Sequence, residues 1–517
     1  MPPGHSTIEM HDITGPPRYT TRGLAIRLFL TCWLIYVLLF ATNTVREIFP
    51  ALSIGDHFSF RVDEYAGMHP DLFEKPGYGW HIGNNPGVSM VAAIPYFLAR
   101  PIIDPIVNRV NQARAASGLT GPPGYNSPWP MAREFYAEAW RRGFDVKFGL
   151  AAFVMQAFCM APVTALSVVV MFYLLRTLFQ SDKLGLALSL LYGLGTPVFF
   201  RTGTLNQNLM LGIIAFMGFV FMWNPTKSQK WSIEFRFFIG GLAGGTALLF
   251  DYSGLVFLLG LFAYGVIKTW RRTSFRRALQ LGAWYILGTI GPIGLLWLYQ
   301  WRSFGNPFFP GQHWMPPVEW IDLGYQGFGL PQLELFLMLG FDYRFGLFVS
   351  SPLMLLALAA PFFNRGKNQR IPGLELYTIL LLFLVLWIFF SGSNYVRLQF
   401  NTGIRYMTPI LPFLFVPVAL VIVRLPKIII ALIAVFSITQ AWAMAMYREV
   451  ESKWGILDPL LKTFLGGFQL PALRTLSRMG DQFGEFFTGG ISPLPIFVLT
   501  AAILYIIWSP SLMKRNH

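Results

Sequence analysis

Long apolar stretches separated by short basic loops constrain this chain more than any other feature. The stretches fall at about 23–44, 148–175, 184–201, 208–223, 237–250, 253–267, 279–300, 346–363, 373–391, 407–423, 428–446 and 491–508. Between them lie Arg176–Lys183, Lys227–Arg236, Lys268–Arg277, Arg365–Arg370 and Arg424–Lys427. With Arg18, Arg22 and Arg27 at one end and Lys514 and Arg515 at the other, these segments carry about half of the 40 Lys and Arg residues. They hold few acids, Asp182 and Glu234 among them. Read as about twelve membrane helices, the chain puts every basic loop on one face, as the positive-inside rule requires.

This reading makes the protein an all-α polytopic membrane protein with both termini cytoplasmic, in the inner (plasma) membrane. Only 13% of the residues are charged and 54% are hydrophobic, which excludes a soluble enzyme and a disordered chain. The net charge of +15 sits in inter-span loops, so it argues for topology and against a nucleic-acid surface. Cys32 and Cys159 both lie in apolar runs and form no disulfide framework. No Walker loop or GxGxxG is present, so an ATP-driven machine is not expected.

Three parts follow: a tail over 1–22, a main transmembrane module over 23–425, and C-terminal helices over 426–517 with an outer loop at 447–490. The stretch 87–105 is apolar, yet counting it as a span would reverse every later basic loop. It is therefore expected to lie along the interface, within a first outer loop running from about 45 to 147. The fifth and sixth spans are expected to be short, near 14 residues, and to turn at Asp251-Tyr252-Ser253.

Ionisable and amide residues gather in the outer loops, where membrane proteins place functional groups. Asp56, His57, Arg61, Asp63 and Glu64 form one cluster; adjacent carboxylates can act as a general base or hold a divalent metal. Lys75, Trp80, His81, Asn84 and Asn85 form a second, suited to a hydroxyl-rich ligand. Arg201, Asn206 and Asn208 form a third, at the link between the third and fourth spans. Arg397, Asn401, Arg405 and Tyr406, with Asp342 and Arg344, form a fourth, suited to a phosphate at headgroup level. Phe308, Phe309, Trp314, Trp320 and Tyr325 either stack on sugar or anchor their loop at the interface, and His313 and Glu319 are acceptor contacts to test.

Taken in order, these clusters resemble the GT-C glycosyltransferase superfamily over most of residues 23–425, in particular the branch of protein O-mannosyltransferases and bacterial lipid A aminoarabinose transferases. The likeness rests on Asp63-Glu64 in a long first outer loop and on Gly83-Asn84-Asn85-Pro86-Gly87 entering a juxtamembrane helix. It rests also on Leu194-Gly195-Thr196-Pro197, Phe304-Gly305-Asn306-Pro307-Phe308, and Arg405-Tyr406-x-x-Pro409-x-x-Pro412. Two departures stand out. Relatives commonly have Lys-Pro-Pro where this chain has Asn85-Pro86-Gly87, unless Lys75 substitutes. They often carry an acid where this chain has Asn206 and Asn208.

The resemblance implies transfer of a sugar from a polyprenyl-phosphate donor to a hydroxyl of a glycan, lipid or protein acceptor, with inversion, on the outer face of the membrane. Asp63 would be the base, with Asp56 its substitute and Glu64 its support. Arg405, with Arg201 or Arg344, would hold the donor phosphate. Lys75, His81, Asn84, Asn85, Asn206 and Tyr406 would line the substrate site. A divalent metal is left open. A membrane glycan polymerase or ligase, and a transporter or flippase, are the competing readings. A transporter expects polar residues along a path through the bilayer; here they crowd one side.

Overall fold

The computed structural model describes residues 19–42, 45–118, 121–122, 124–127, 129–316, 323–366, 369–399, 403–448, 450, 452–479 and 491–509. The architecture is an all-α, multi-pass membrane one, and among the described residues eight helices are long and apolar enough to cross a bilayer. In chain order the main helices are α1 (Thr21–Leu38), α2 (Ile48–His57), α3 (Gly87–Ala116), α4 (Asp145–Phe179), α5 (Asp182–Leu194), α6 (Gln207–Trp223) and α7 (Ile233–Phe250). They continue with α8 (Gly254–Arg272), α9 (Phe275–Phe304), α10 (Gly373–Ser391), α11 (Leu411–Ile422), α12 (Lys427–Tyr447) and α13 (Leu494–Trp508). Of these, α6 and α13 are shorter apolar helices, as are the stretches Pro352–Phe363 and Thr408–Ile422.

The hairpin turn falls at 251–253 as expected, but its two helices are longer than the sequence suggested. They have 18 and 19 residues, because α7 takes in Arg236 and α8 runs on to Arg272. Basic residues at a helix end snorkel to the interface and do not stop the helix. The stretch expected over 87–105 is helical to Ala116, and by length and composition it is one of the eight. It packs along α2 and the start of α4. Polar groups pin it there: Arg100 reaches Asp56 at 3.1 Å, and Arg114 forms a two-point pair with Asp145 at 2.7 Å.

Small residues let the bundle close. A Cβ on Gly241 of α7 would lie 1.8 Å from the Tyr285 carbonyl of α9, and one on Gly288 would lie 2.1 Å from the Phe238 carbonyl. The two backbones therefore touch, the packing that membrane helices use where no hydrophobic effect drives them together. Within α4, a π turn over Gln156–Met160 pushes Gln156 inward. Its amide donates to the carbonyls of Tyr36 (2.9 Å) and Thr202 (3.0 Å), tying α1 and α4 to the link before α6.

One end of the bundle carries the long first loop. There α2 and α3 flank an antiparallel hairpin of β1 (Leu72–Lys75) and β2 (Gly79–Ile82), with Phe73 opposite His81. Gly79 sits at φ +92, and a Cβ there would meet the side chains of Arg61 and Asp63. The opposite end carries the basic loops and a buried lock: Lys268 contacts Glu375 (2.9 Å), Tyr264 (2.7 Å) and the Trp223 carbonyl (3.0 Å).

Candidate functional site

The site begins where α1 ends. Glu47 stands at the N-terminus of α2, its backbone carbonyl accepts from Ser89 in the first turn of α3 (2.7 Å), and its side chain is buried. Asn84, just before α3, donates to Glu47 (3.3 Å) and to Gln207 at the start of α6 (3.0 Å). Gln207 in turn donates to Asp251 (2.7 Å), whose other oxygen takes the Ser253 amide and hydroxyl. Asn206 fixes the first turn of α6 by accepting from the Leu209 amide (3.0 Å). The Asn208 Oδ1 is buried and has no hydrogen-bond partner among the described residues.

Arg46 stands beside Glu47 and is ion-paired to Asp71. Burial alone would raise the Asp71 carboxyl. Arg46 above all, with His69 and Arg405, outweighs burial and holds it at about 2. His69 is pushed below its ordinary value by burial, against the pull of Asp71. The Arg46 guanidinium is held charged because Asp71 and Glu47 more than offset its desolvation. Arg405 and Tyr406 enter on the segment before α11, their backbone amides both donating to Gln399 (3.1 and 3.2 Å). A Cβ on Gly212 of α6 would lie 2.2 Å from the Pro409 carbonyl, so this segment rests directly on α6.

Cations are concentrated here. Arg201 and Arg448 are 6% and 7% exposed. Arg448, at the end of α12, donates to the Phe200 carbonyl at 3.0 Å, which sets it beside Arg201. Arg201 is repelled by Arg448 and Arg405 and attracted by Glu47. Buried like charges are costly unless anions sit among them, and Glu47 and Asp71 supply part of that charge here.

The sequence-predicted residues divide. Arg201, Arg405, Tyr406, Asn84 and Asn206 fall at this cluster. Asn85 donates to the Leu248 carbonyl in the last turn of α7 at 2.6 Å. Arg344 pairs with Asp342 at 3.1 Å. Lys75 lies over the Trp314 ring at 3.5 Å, and His81 is buried against Phe304, its ring held neutral first by burial. His313 stacks on Phe309 and contacts the Tyr325 hydroxyl at 2.9 Å. Glu319, Trp320 and Asn401 lie outside the described residues.

Asp63 and Glu64 sit elsewhere, on the exposed side of the first loop. Asp63 accepts from the Trp80 amide (2.7 Å) and pairs with Arg61 (2.8 Å); Glu64 faces His57 at 3.4 Å. With His57 and Ser59 they line a pocket of about 310 Å³. Asp56, His57 and Glu64 come within 4.8 Å of one another, the spacing of metal ligands. Asp56, however, already takes Lys147 (2.6 Å), Arg100 (3.1 Å) and the Tyr96 hydroxyl (2.9 Å). Two cations on one carboxylate leave a dication repelled, so this set does not fit a metal.

Sequence reasoning passed over Arg46, Glu47, His69, Asp71 and Arg448, and read Asp251 only as part of a turn. Arg46-Glu47 was the readable signal: a charged pair directly after the first span, leading into an apolar helix. No protein-family model, no curated protein and no solved structure matches this chain.

Proposed function

We propose that this chain is an integral-membrane glycosyltransferase that moves a sugar from a polyprenyl-phosphate donor to a hydroxyl acceptor. The observation that carries the reading is the convergence of buried Arg201 and Arg448 and half-buried Arg405 beside the Glu47–Asn84–Gln207–Asp251 chain. The arginines match the charge of a phosphate leaving group, and the carboxylate beside them matches a base. The GT-C likeness, a span count near twelve, and an outward-facing site in the plasma membrane belong to this same proposal. The membrane-surface placement of α3 belongs to it as well.

In this mechanism the acceptor oxygen attacks the anomeric carbon as the bond from that carbon to the phosphate oxygen breaks. The hydroxyl proton passes to the base, and the electron pair leaves with the polyprenyl phosphate, whose charge the arginines hold. We assign the base to Glu47 rather than Asp63. Glu47 is buried beside Arg46 and Arg201, whereas the Asp63 side chain is 44% exposed.

Transfer of labelled sugar from a mixture of polyprenyl-phosphate donors to membrane extract tests this, with wild type, Glu47→Gln and Asp63→Asn compared. Loss of about 10²-fold or more in Glu47→Gln alone supports it. Loss in Asp63→Asn alone returns the base to the first cluster. No transfer from any donor by folded wild type overturns the enzyme reading and leaves the ligase and transporter alternatives.

A further inference from the structure

A second cavity lies at the end of the bundle that carries the basic loops. It is a groove of about 650 Å³ between α4, α6 and α7, in their halves nearest the basic loops. That volume falls within the roughly 300–1,000 Å³ of small-molecule sites. Its walls are apolar, with Val170, Ile214, Met217 and Ile239 among them, and its flank is open where Tyr173 and Leu242 are exposed. Gly218 makes the depth: a Cβ there would meet the Ala243 Cβ at 2.5 Å.

The mouth of the groove is polar and built. Asn224 caps the end of α6, and its side chain accepts from the Ser228 amide (3.1 Å) and donates to the Ser228 carbonyl (3.2 Å). Arg236 lines the groove and also donates to that carbonyl. Lys227 and Lys230 are exposed on the same loop, Lys230 lies 5.6 Å from the Trp231 ring, and Trp231 stacks on Phe235. The acid of this stretch, Glu234, is paired with Arg277 and leaves the three cations uncompensated. An apolar slot between membrane helices, ending at Arg236 and an interfacial Trp with Lys227 and Lys230 on the loop beside its mouth, has the chemistry of one ligand class: a lipid whose chains fill the slot and whose anionic headgroup meets the rim.

We infer that this groove holds a glycerophospholipid with an anionic headgroup, bound at the end of the bundle remote from the candidate active site. The inference does not depend on the glycosyltransferase reading; the topology proposed above adds only that the lipid belongs to the inner leaflet. Delipidated full-length protein in detergent is titrated with phosphatidylglycerol or phosphatidylcholine, read by native mass spectrometry and by thermal shift.

One phosphatidylglycerol is expected to bind at least tenfold more tightly than phosphatidylcholine and to raise Tm. Lys227→Ala/Lys230→Ala, at exposed positions that do not burden folding, is expected to cut that preference severalfold, and adding Arg236→Ala to abolish it. Ile239→Trp, which fills the slot, is expected to remove the bound lipid. Equal binding of both lipids, an unchanged preference in the double lysine variant, or binding that survives in folded Ile239→Trp overturns the inference.

Discussion

The Asn84 amide donates to the Glu47 carboxylate at 3.3 Å, across 37 residues of sequence, and the same nitrogen donates to Gln207 at 3.0 Å. Both amide hydrogens are thereby used, and a chain of four side chains runs from the first loop to Asp251 in the α7–α8 turn. Such a relay fixes where each carboxylate oxygen points. Asn84→Leu removes the middle of it and leaves buried Glu47 and Gln207 short of a partner. The expected cost is about 1–3 kcal/mol of stability, read as a lower Tm in detergent. Sugar transfer should fall further than stability does, and Asn84→Asp should be worse than Asn84→Leu, because it sets a second acid against Glu47.

Arg46 and Asp71 form the second fixed pair of the site. Their side chains are 18% and 30% exposed, so removing one partner leaves the other's charge poorly solvated. Arg46→Ala and Asp71→Asn are each expected to cost roughly 3–5 kcal/mol. The double variant Arg46→Met/Asp71→Leu should recover much of that stability while transfer stays lost. A thermal melt of the three variants, with transfer measured alongside, separates the structural share of the pair from the functional one.

The pH dependence follows from His69. Burial lowers its folded value below 6.5, so the folded state binds fewer protons than the unfolded chain. The stability this contributes is fully present above about 6.5 and is lost as pH falls from there toward the folded value. Asp71, held at about 2, works the same way lower down: its contribution is present above its unfolded value and fades only in strong acid. Tm should therefore drop between pH 7.5 and 5, and His69→Gln should flatten that drop. A drop of the same size in His69→Gln would remove His69 as its cause.

Much of this was legible before any fold was known. Alternating apolar spans and basic loops set the class, and Asp251-Tyr252-Ser253 marked a turn that the structure keeps. Arg201 and Arg405 were readable because a guanidinium near a span end has few uses. Glu47 was not, for a physical reason. The first span reads as ending at about 44, so Glu47 falls at the start of a long outer loop with nothing in the sequence to bury it, while Asp63-Glu64, a bare acidic pair, has the louder chemistry. Only the fold shows that Glu47 is buried at the start of α2 and that the β1–β2 hairpin holds Asp63 against Arg61 and Trp80. Arg448 was invisible for a different reason: it reaches Phe200 across 248 residues, a contact no local pattern encodes.

The arginines give the sharpest separation between two readings of one residue type. Arg405 and Arg201 lie in a mixed field, Arg448 repelling and Glu47 attracting Arg201 and Asp71 acting on Arg405, whereas Arg344 faces Asp342 through two nitrogens, at 3.2 and 3.1 Å. A guanidinium that binds a developing phosphate charge acts in the transition state, so Arg405→Ala should lower kcat/KM by about 10²–10³-fold. Arg405→Lys keeps the charge but loses the planar fork, and should recover only part of that loss. Arg344→Ala, at a site already neutralised by its own acid, should lower Tm more than transfer. Steady-state kinetics with one polyprenyl-phosphate donor, run on folded variants at matched expression, orders the three. If Arg344→Ala proved the most damaging to kcat/KM while Arg405→Ala stayed near wild type, the phosphate would belong at the Asp342–Arg344 mouth and the convergent arginines would be structural.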